Sequence, residues 1–173
     1  MIRPATFSDL PRMRTLLLEA YERSIYRTLG KVDLDATKKF LMQAIQHHGG
    51  EHAGSSLVIV AEAEGTVEGF LIGYLSRVYF VGDKLMATDT HTIVSARAPA
   101  RAGVLLFDAF VSWAEANPNV AIIQPGATDA IEHWTGPERL FRSRGFRQHG
   151  VIFMRTTHSC LETASTRTRE QAA

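Results

Sequence analysis

The stretch Arg-Ala-Pro-Ala-Arg-Ala-Gly at residues 97–103 joins two segments of different pattern. Residues 85–94 before it form an extended, β-like run, and an apolar helix is predicted after it, with Leu106, Phe110 and Trp113 at inward positions. A helix that begins directly after a strand presents unpaired N–H groups and the positive end of its dipole, and both attract phosphate oxygens. The junction therefore predicts an anion site at a helix N-terminus and leaves the identity of the anion open.

The apolar patterns on either side of this junction predict the element order β-α-α-β-β-β-α-β-α-β. The first half is typical of an antiparallel meander, and the second half contains a β-α-β crossing through the junction, so the fold class is mixed α/β. The predicted strands cover residues 2–5, 57–61, 67–75, 85–94, 120–124 and 146–154. The predicted helices cover residues 8–21, 35–47, 103–116 and 137–144.

Composition restricts the class of protein. The chain has 173 residues, a formal net charge of +1 and 21% charged residues, which indicates a globular protein without a global field for nucleic acid. The single cysteine, Cys160, excludes an intramolecular disulfide, and no apolar stretch approaches the ~20 residues of a membrane span. We expect one domain at residues 1–155, a disordered polar tail at 156–173, a cytoplasmic location, and no membrane or nucleic-acid partner.

Three segments carry a resemblance to a known family. Arg97-x-x-Ala100-x-Ala102 is similar to the loop Arg/Gln-x-x-Gly-x-Gly/Ala of the GNAT acyl-CoA N-acyltransferase superfamily. Ala100 stands where the family usually has glycine. The segment 138–146 is similar to the late helix of that family, which ends in Leu-Tyr-x-x-x-Gly-Phe, and Ile2–Thr6 is similar to its first strand. The resemblance implies a mostly antiparallel twisted sheet of about six or seven strands with about four helices.

The resemblance also implies a ligand, acetyl-CoA. In the family, the strand before the loop pairs with the pantetheine arm, the loop holds the pyrophosphate, and the next strand diverges to admit the thioester. The expected pantetheine contacts are Ile93, Val94 and Ser95. The expected pyrophosphate contacts are Arg97, Ala98, Ala100, Arg101, Ala102, Gly103 and Val104. Phe141, which stands where the family has its tyrosine, is a further expected cofactor contact.

The catalytic residues are less well specified by the sequence. Asp89 and His91 are two positions apart on the predicted strand that would flank the thioester, so we expect both on one face. We also expect His91 to titrate near neutrality. Alternatively, His91 is only a half-buried strand residue. Phe141 cannot donate a proton to the leaving thiolate as a tyrosine does. Further candidates for an acceptor groove are Tyr74, Tyr79, His133 and Trp134.

The sequence leaves three functions open. The first is an N-acetyltransferase that moves an acetyl group from acetyl-CoA directly to a primary amine of a small molecule or peptide, without a metal. The second is a non-catalytic acyl-CoA-binding sensor or interaction module. The third is another nucleotide- or phosphate-binding α/β protein. A homodimer formed through exposed strand edges is compatible with each of them.

Overall fold

The computed structural model describes residues 1–128, 130 and 135–157. The predictions for His133, Trp134 and Cys160, and the tail from residue 158 onward, lie outside these residues. The chain divides into two compact units. The first contains Met1–Glu19 and Asp33–Gly126, and the second contains Ala20–Val32 and the described residues from Ala127 onward.

The first unit is built on one twisted sheet. Within the described residues the strand order is β1-β2-β3-β4-β5; the first three pairings are antiparallel, and β4 and β5 are parallel. The strands are β1 (Ile2–Pro4), β2 (Ser56–Ala63), β3 (Thr66–Arg77), β4 (Leu85–Val94) and β5 (Val120–Gln124). The helices are α1 (Leu10–Glu22), α2 (Leu34–Gln46), α3 (Ala102–Ala116) and α4 (Thr135–Ser143), with 3-10 turns at Phe7–Asp9 and Ile25–Thr28. The mixed α/β prediction is confirmed, including the crossing through α3.

The predicted last strand, residues 146–154, is not formed. The sheet therefore has five strands in the described residues, rather than six or seven. Four consecutive apolar side chains in that segment, Val151 to Met154, are exposed. Apolar alternation reports strand propensity, whereas a strand also needs a neighbour to pair its backbone groups.

The two faces of the sheet can be identified from Gly73 and Tyr74 on β3. A Cβ atom at Gly73 would lie 2.8 Å from ring carbons of Phe110 and 3.5 Å from Trp113, so α3 covers that face. Successive side chains point to opposite faces of a strand. Accordingly, Tyr74 meets Phe40 of α2 on the other face, with ring centroids 6.3 Å apart.

The segment between α2 and β2 is held by a histidine. His48 forms a parallel bridge with Ser56, and its Nδ1 accepts a hydrogen bond of 2.9 Å from the N–H of Val58. Burial lowers the pKa of His48, which keeps this nitrogen free to accept. The histidine thus replaces a backbone carbonyl at the start of β2.

The second unit contains α4 and the 3-10 turn at Ile25–Thr28. Arg142 pairs with Glu138 one turn earlier at 2.8 Å, and Gly145 follows the helix with φ +84°, a conformation that glycine adopts without strain. No described helix combines the length and the apolar character that a bilayer crossing requires.

Candidate functional site

The pairing of β4 with β5 ends partway along β4. The parallel register runs from Leu85 opposite Val120 to Thr88 opposite Gln124, where β5 ends. β4 continues to Val94 and stays paired with β3 on its other side. Beyond Thr88, the edge of β4 that β5 had occupied therefore faces no strand among the described residues. Unpaired backbone groups at such an edge can bind an extended, amide-containing chain.

The open edge leads to the N-terminus of α3. Arg101 is its N-cap residue and supplies no side-chain hydrogen bond, and within the described residues the N–H groups of Gly103 and Val104 have no acceptor. The N–H of Ala102 donates to the carbonyl of Pro99 at 2.8 Å. Ala100 does not have a positive φ, so alanine is accommodated in the loop without the strain that a left-handed conformation imposes.

Cationic side chains accompany this helix end. Arg97 is 70% exposed, and its Nε lies 3.5 Å from a carboxylate oxygen of Glu68. Arg101 is exposed and forms no ion pair with any described residue. Free N–H groups, the helix dipole and two arginines together favour a multiply charged anion such as a pyrophosphate.

The predicted arrangement of Asp89 and His91 on one face is wrong. The β3–β4 register shifts between Ile72 and Gly73, so that His91 lies opposite Ile72 while Asp89 lies opposite Gly73. Residues opposite each other on paired strands share a face. Asp89 therefore lies on the α3 face with Gly73, and His91 lies on the other face, because the bulge at Thr90 reverses the alternation.

Asp89 is anchored at the base of the opening. Its Oδ1 accepts a hydrogen bond of 2.8 Å from the N–H of Gly126, just beyond β5, and its Oδ2 accepts one of 3.2 Å from the Thr92 hydroxyl. Burial nevertheless raises the pKa of Asp89, because desolvation outweighs these two hydrogen bonds. Both carboxylate oxygens already have partners, which suits a residue that holds the opening in shape.

His91 differs from Asp89 in having a polar side-chain atom without a partner among the described residues. Its Nδ1 is buried and has no hydrogen-bond partner among the described residues. The Phe40 ring lies beside the imidazole, with ring centroids 5.4 Å apart. Burial lowers the pKa of His91, so the imidazole is neutral at pH 7 and able to accept a proton.

The remaining predicted residues are distributed as follows. Ile93, Val94 and Ser95 extend from the open part of β4, with Ile93 and Ser95 buried. Tyr74 is half-buried beside Phe40, and burial raises the pKa of its hydroxyl. Tyr79 is 84% exposed in the loop between β3 and β4, at the opposite end of β4 from the α3 junction. Phe141 belongs to the second unit, where its ring packs against Phe146.

The sequence did not predict a role in this region for Phe40 or Glu68, nor the hydrogen bond between Gly126 and Asp89. Only Glu68 left a signal, because it is a charge inside the apolar run that starts at Val67. Phe40 belonged to a predicted apolar helix face, and the role of Gly126 depends on its backbone N–H, which composition does not reveal.

No protein-family model matches this chain, and no curated protein does either. Solved structures share its fold at low sequence identity. A tetramutant of the BH1408 protein from Bacillus halodurans is 19% identical, with a TM-score of 0.69, 91% of this chain covered and 99% of that one. An acetyltransferase from Trypanosoma brucei is 12% identical, with a TM-score of 0.65 and the same coverage. The aminoglycoside N-acetyltransferase AAC(6')-Iy, in complex with CoA, is 17% identical, with a TM-score of 0.64, 90% of this chain covered and 93% of that one.

Proposed function

We propose that this chain, which has the fold of the GNAT acetyltransferases, is an acyltransferase that binds acyl-CoA along the edge of β4 beyond the end of its pairing with β5. In its specific form, the proposal is that it transfers the acetyl group of acetyl-CoA to a primary amine of a small molecule or peptide. Transfer is direct, within a ternary complex of protein, acetyl-CoA and amine.

The end of the β4–β5 pairing at Thr88 and Gln124 is the observation that carries the proposal. Among the described residues, this leaves an edge of β4 without a neighbouring strand, and that edge leads to the N-terminus of α3, which has no side-chain cap. Coenzyme A has the matching order of groups: an amide-containing pantetheine arm followed by a pyrophosphate. The predicted contacts Ile93–Ser95 follow the edge, and Arg97, Ala98 and Ala100–Val104 surround the helix end. The CoA complex of the structural neighbour AAC(6')-Iy supports the same type of ligand.

In the proposed reaction the amine nitrogen attacks the thioester carbonyl carbon, a C–N bond forms and the C–S bond breaks. The amine must lose a proton, and the coenzyme A thiolate gains one. His91 is our candidate proton acceptor, because its imidazole is neutral at pH 7 and its Nδ1 has no partner among the described residues. Asp89 is the weaker candidate, since its two oxygens bind Gly126 and Thr92. Phe141 cannot protonate the thiolate, so we assign that proton to water.

The test is thiol release from acetyl-CoA in the presence of a panel of primary amines. We expect amine-dependent release, with kcat lower by about 10²-fold or more in His91→Gln, as for loss of a positioned general base. The kcat of the wild type should fall on the acidic side with a pKa below 6.5, and this limb should disappear in His91→Gln. Asp89→Asn is the comparison for a residue that shapes the opening. An unchanged pH profile in His91→Gln would remove His91 from the mechanism.

A non-catalytic acyl-CoA-binding module is the second candidate, and Phe141 favours it because this residue lacks the hydroxyl of the family tyrosine. A structural neighbour from Bacillus halodurans described as a transcriptional regulator, 16% identical with a TM-score of 0.67 and covering 91% of this chain and 99% of that one, is compatible with it. Tight coenzyme A binding without thiol release over hours would support the module. Equal competition by ADP would instead favour a general nucleotide-binding protein.

A further inference from the structure

Glu68 is a buried carboxylate directly behind the predicted pyrophosphate loop. It lies on β3, is 7% exposed, and faces three donors. Arg12 of α1 donates from Nη2 to Glu68 Oε2 at 2.9 Å, the Ser95 hydroxyl donates to the same oxygen, and Arg97 Nε lies 3.5 Å from Oε1. A buried carboxylate persists as an anion only with such partners, and they lower its pKa, the Ser95 bond most of all.

Ser95 transmits this anchor to the loop backbone. Its N–H donates to the carbonyl of Glu68 at 2.8 Å, and its Oγ accepts a hydrogen bond of 3.1 Å from the N–H of Arg97. The carbonyl of Ser95 accepts from the N–H of Ala98 at 3.2 Å. Glu68 is therefore connected to Arg97 twice, through Ser95 to its backbone and directly to its guanidinium.

Arg12 makes this arrangement compatible with an anionic ligand. Without Arg12, the Glu68 carboxylate would repel a pyrophosphate and would bind Arg97 in place of that ligand. Arg12 also donates from Nε to the carbonyl of Val67 at 2.9 Å and from Nη1 to a carboxylate oxygen of Glu19 at 3.2 Å, so three contacts hold its guanidinium beside Glu68. The Arg97 side chain is left 70% exposed, and its remaining guanidinium N–H groups have no partner among the described residues.

We propose that Glu68 is a positioning residue for the acyl-CoA pyrophosphate, and that it acts by fixing the turn at Ser95–Ala98 and the orientation of Arg97. This inference rests on the proposed function. It differs from a competing role, in which Glu68 would hold Arg97 away from the ligand, because the two roles predict opposite changes in affinity when the carboxylate is removed.

The experiment is calorimetric titration with coenzyme A of the wild type, Glu68→Gln, Arg97→Ala and the double variant. We expect Glu68→Gln to raise the Kd about tenfold, the usual scale for loss of a charge-assisted hydrogen bond. In the Arg97→Ala background the same substitution should raise the Kd by less than it does in the wild type, because only the route through the turn at Ser95–Ala98 remains. Independent, additive effects would contradict the positioning role.

The matched control is Glu62→Gln. Glu62 on β2 is also an ion-paired carboxylate, 2.6 Å from Arg3 Nε, and its loss should leave the Kd unchanged. Ser95→Ala, which keeps every charge, should weaken binding in the same direction as Glu68→Gln and serves if the latter does not fold. Unchanged or tighter binding in both Glu68→Gln and Ser95→Ala would overturn the inference while the proposed function stands. Absence of coenzyme A binding by the wild type would overturn both.

Discussion

At the scale of single residues, the environment of each side chain matters more than its type. Asp89 and His91 are two positions apart on one strand, yet the bulge at Thr90 sends them to opposite faces. Burial shifts their pKa values in opposite directions, up for the carboxyl and down for the imidazole, and in each case the neutral form is favoured. The sequence could name both residues as candidates, whereas the pairing with β3 assigns them different surroundings.

His48 gives a prediction for stability against pH. Its folded-state pKa lies below 6.5, so the unfolded chain binds a proton more readily than the folded one does. The stabilisation that comes from keeping His48 neutral is complete above about pH 6.5 and is lost as the pH falls through the folded-state pKa. The free energy of unfolding then falls by up to about 1.4 kcal/mol per pH unit. Urea unfolding between pH 7.5 and 5.5 measures this loss.

His48→Asn is the matched variant for that experiment, because its side-chain oxygen can still accept from the N–H of Val58 but does not titrate. The stability of the wild type should fall more steeply with decreasing pH than that of the variant. Part of the slope should remain in the variant, since the pKa of His91 is also lowered. Parallel curves for the two proteins would show that His48 does not provide the pH dependence.

At the scale of elements, the packing of α3 on the sheet depends on the absence of one side chain. A Cβ atom at Gly73 would lie 2.8 Å from the Phe110 ring, and Phe110 is fully buried. Gly73→Ala should therefore lower the free energy of unfolding by about 1–3 kcal/mol, the usual cost of overpacking a core. Chemical denaturation measures the change.

Gly30→Ala is the control, because nothing lies within 4 Å of its added Cβ and its φ is not positive. In a Phe110→Leu background, Gly73→Ala should lower the free energy of unfolding by less than it does in the wild type, since the smaller side chain makes room for the added Cβ. If Gly73→Ala costs no more than Gly30→Ala, the close approach of α3 to β3 is incorrect.

At the scale of the whole molecule, the sequence predicted most of the helices and strands, but not which strands and side chains pair with one another. The bounds of β4 and β5 coincide with the prediction, because β5 is a short apolar run that ends before Pro125 and β4 is rich in β-branched residues. The bulge and the missing strand at 146–154 depend on cross-strand pairing, which a single-sequence pattern does not contain. The motif at 97–103 predicts an anion-binding loop, whereas the sequence does not point to Glu68 beside it, because its partners Arg12 and Ser95 are distant in sequence.

The central claim is that acyl-CoA binds along the open edge of β4 and at the N-terminus of α3. The most direct test is titration of isotope-labelled protein with coenzyme A while the backbone amide resonances are followed by NMR. We expect the largest shifts at Asp89–Ser95 and at the free N–H groups of Gly103 and Val104, with the β3–β4 loop around Tyr79 unaffected. Saturating binding with its largest shifts elsewhere, or no shifts at millimolar coenzyme A, would contradict the claim.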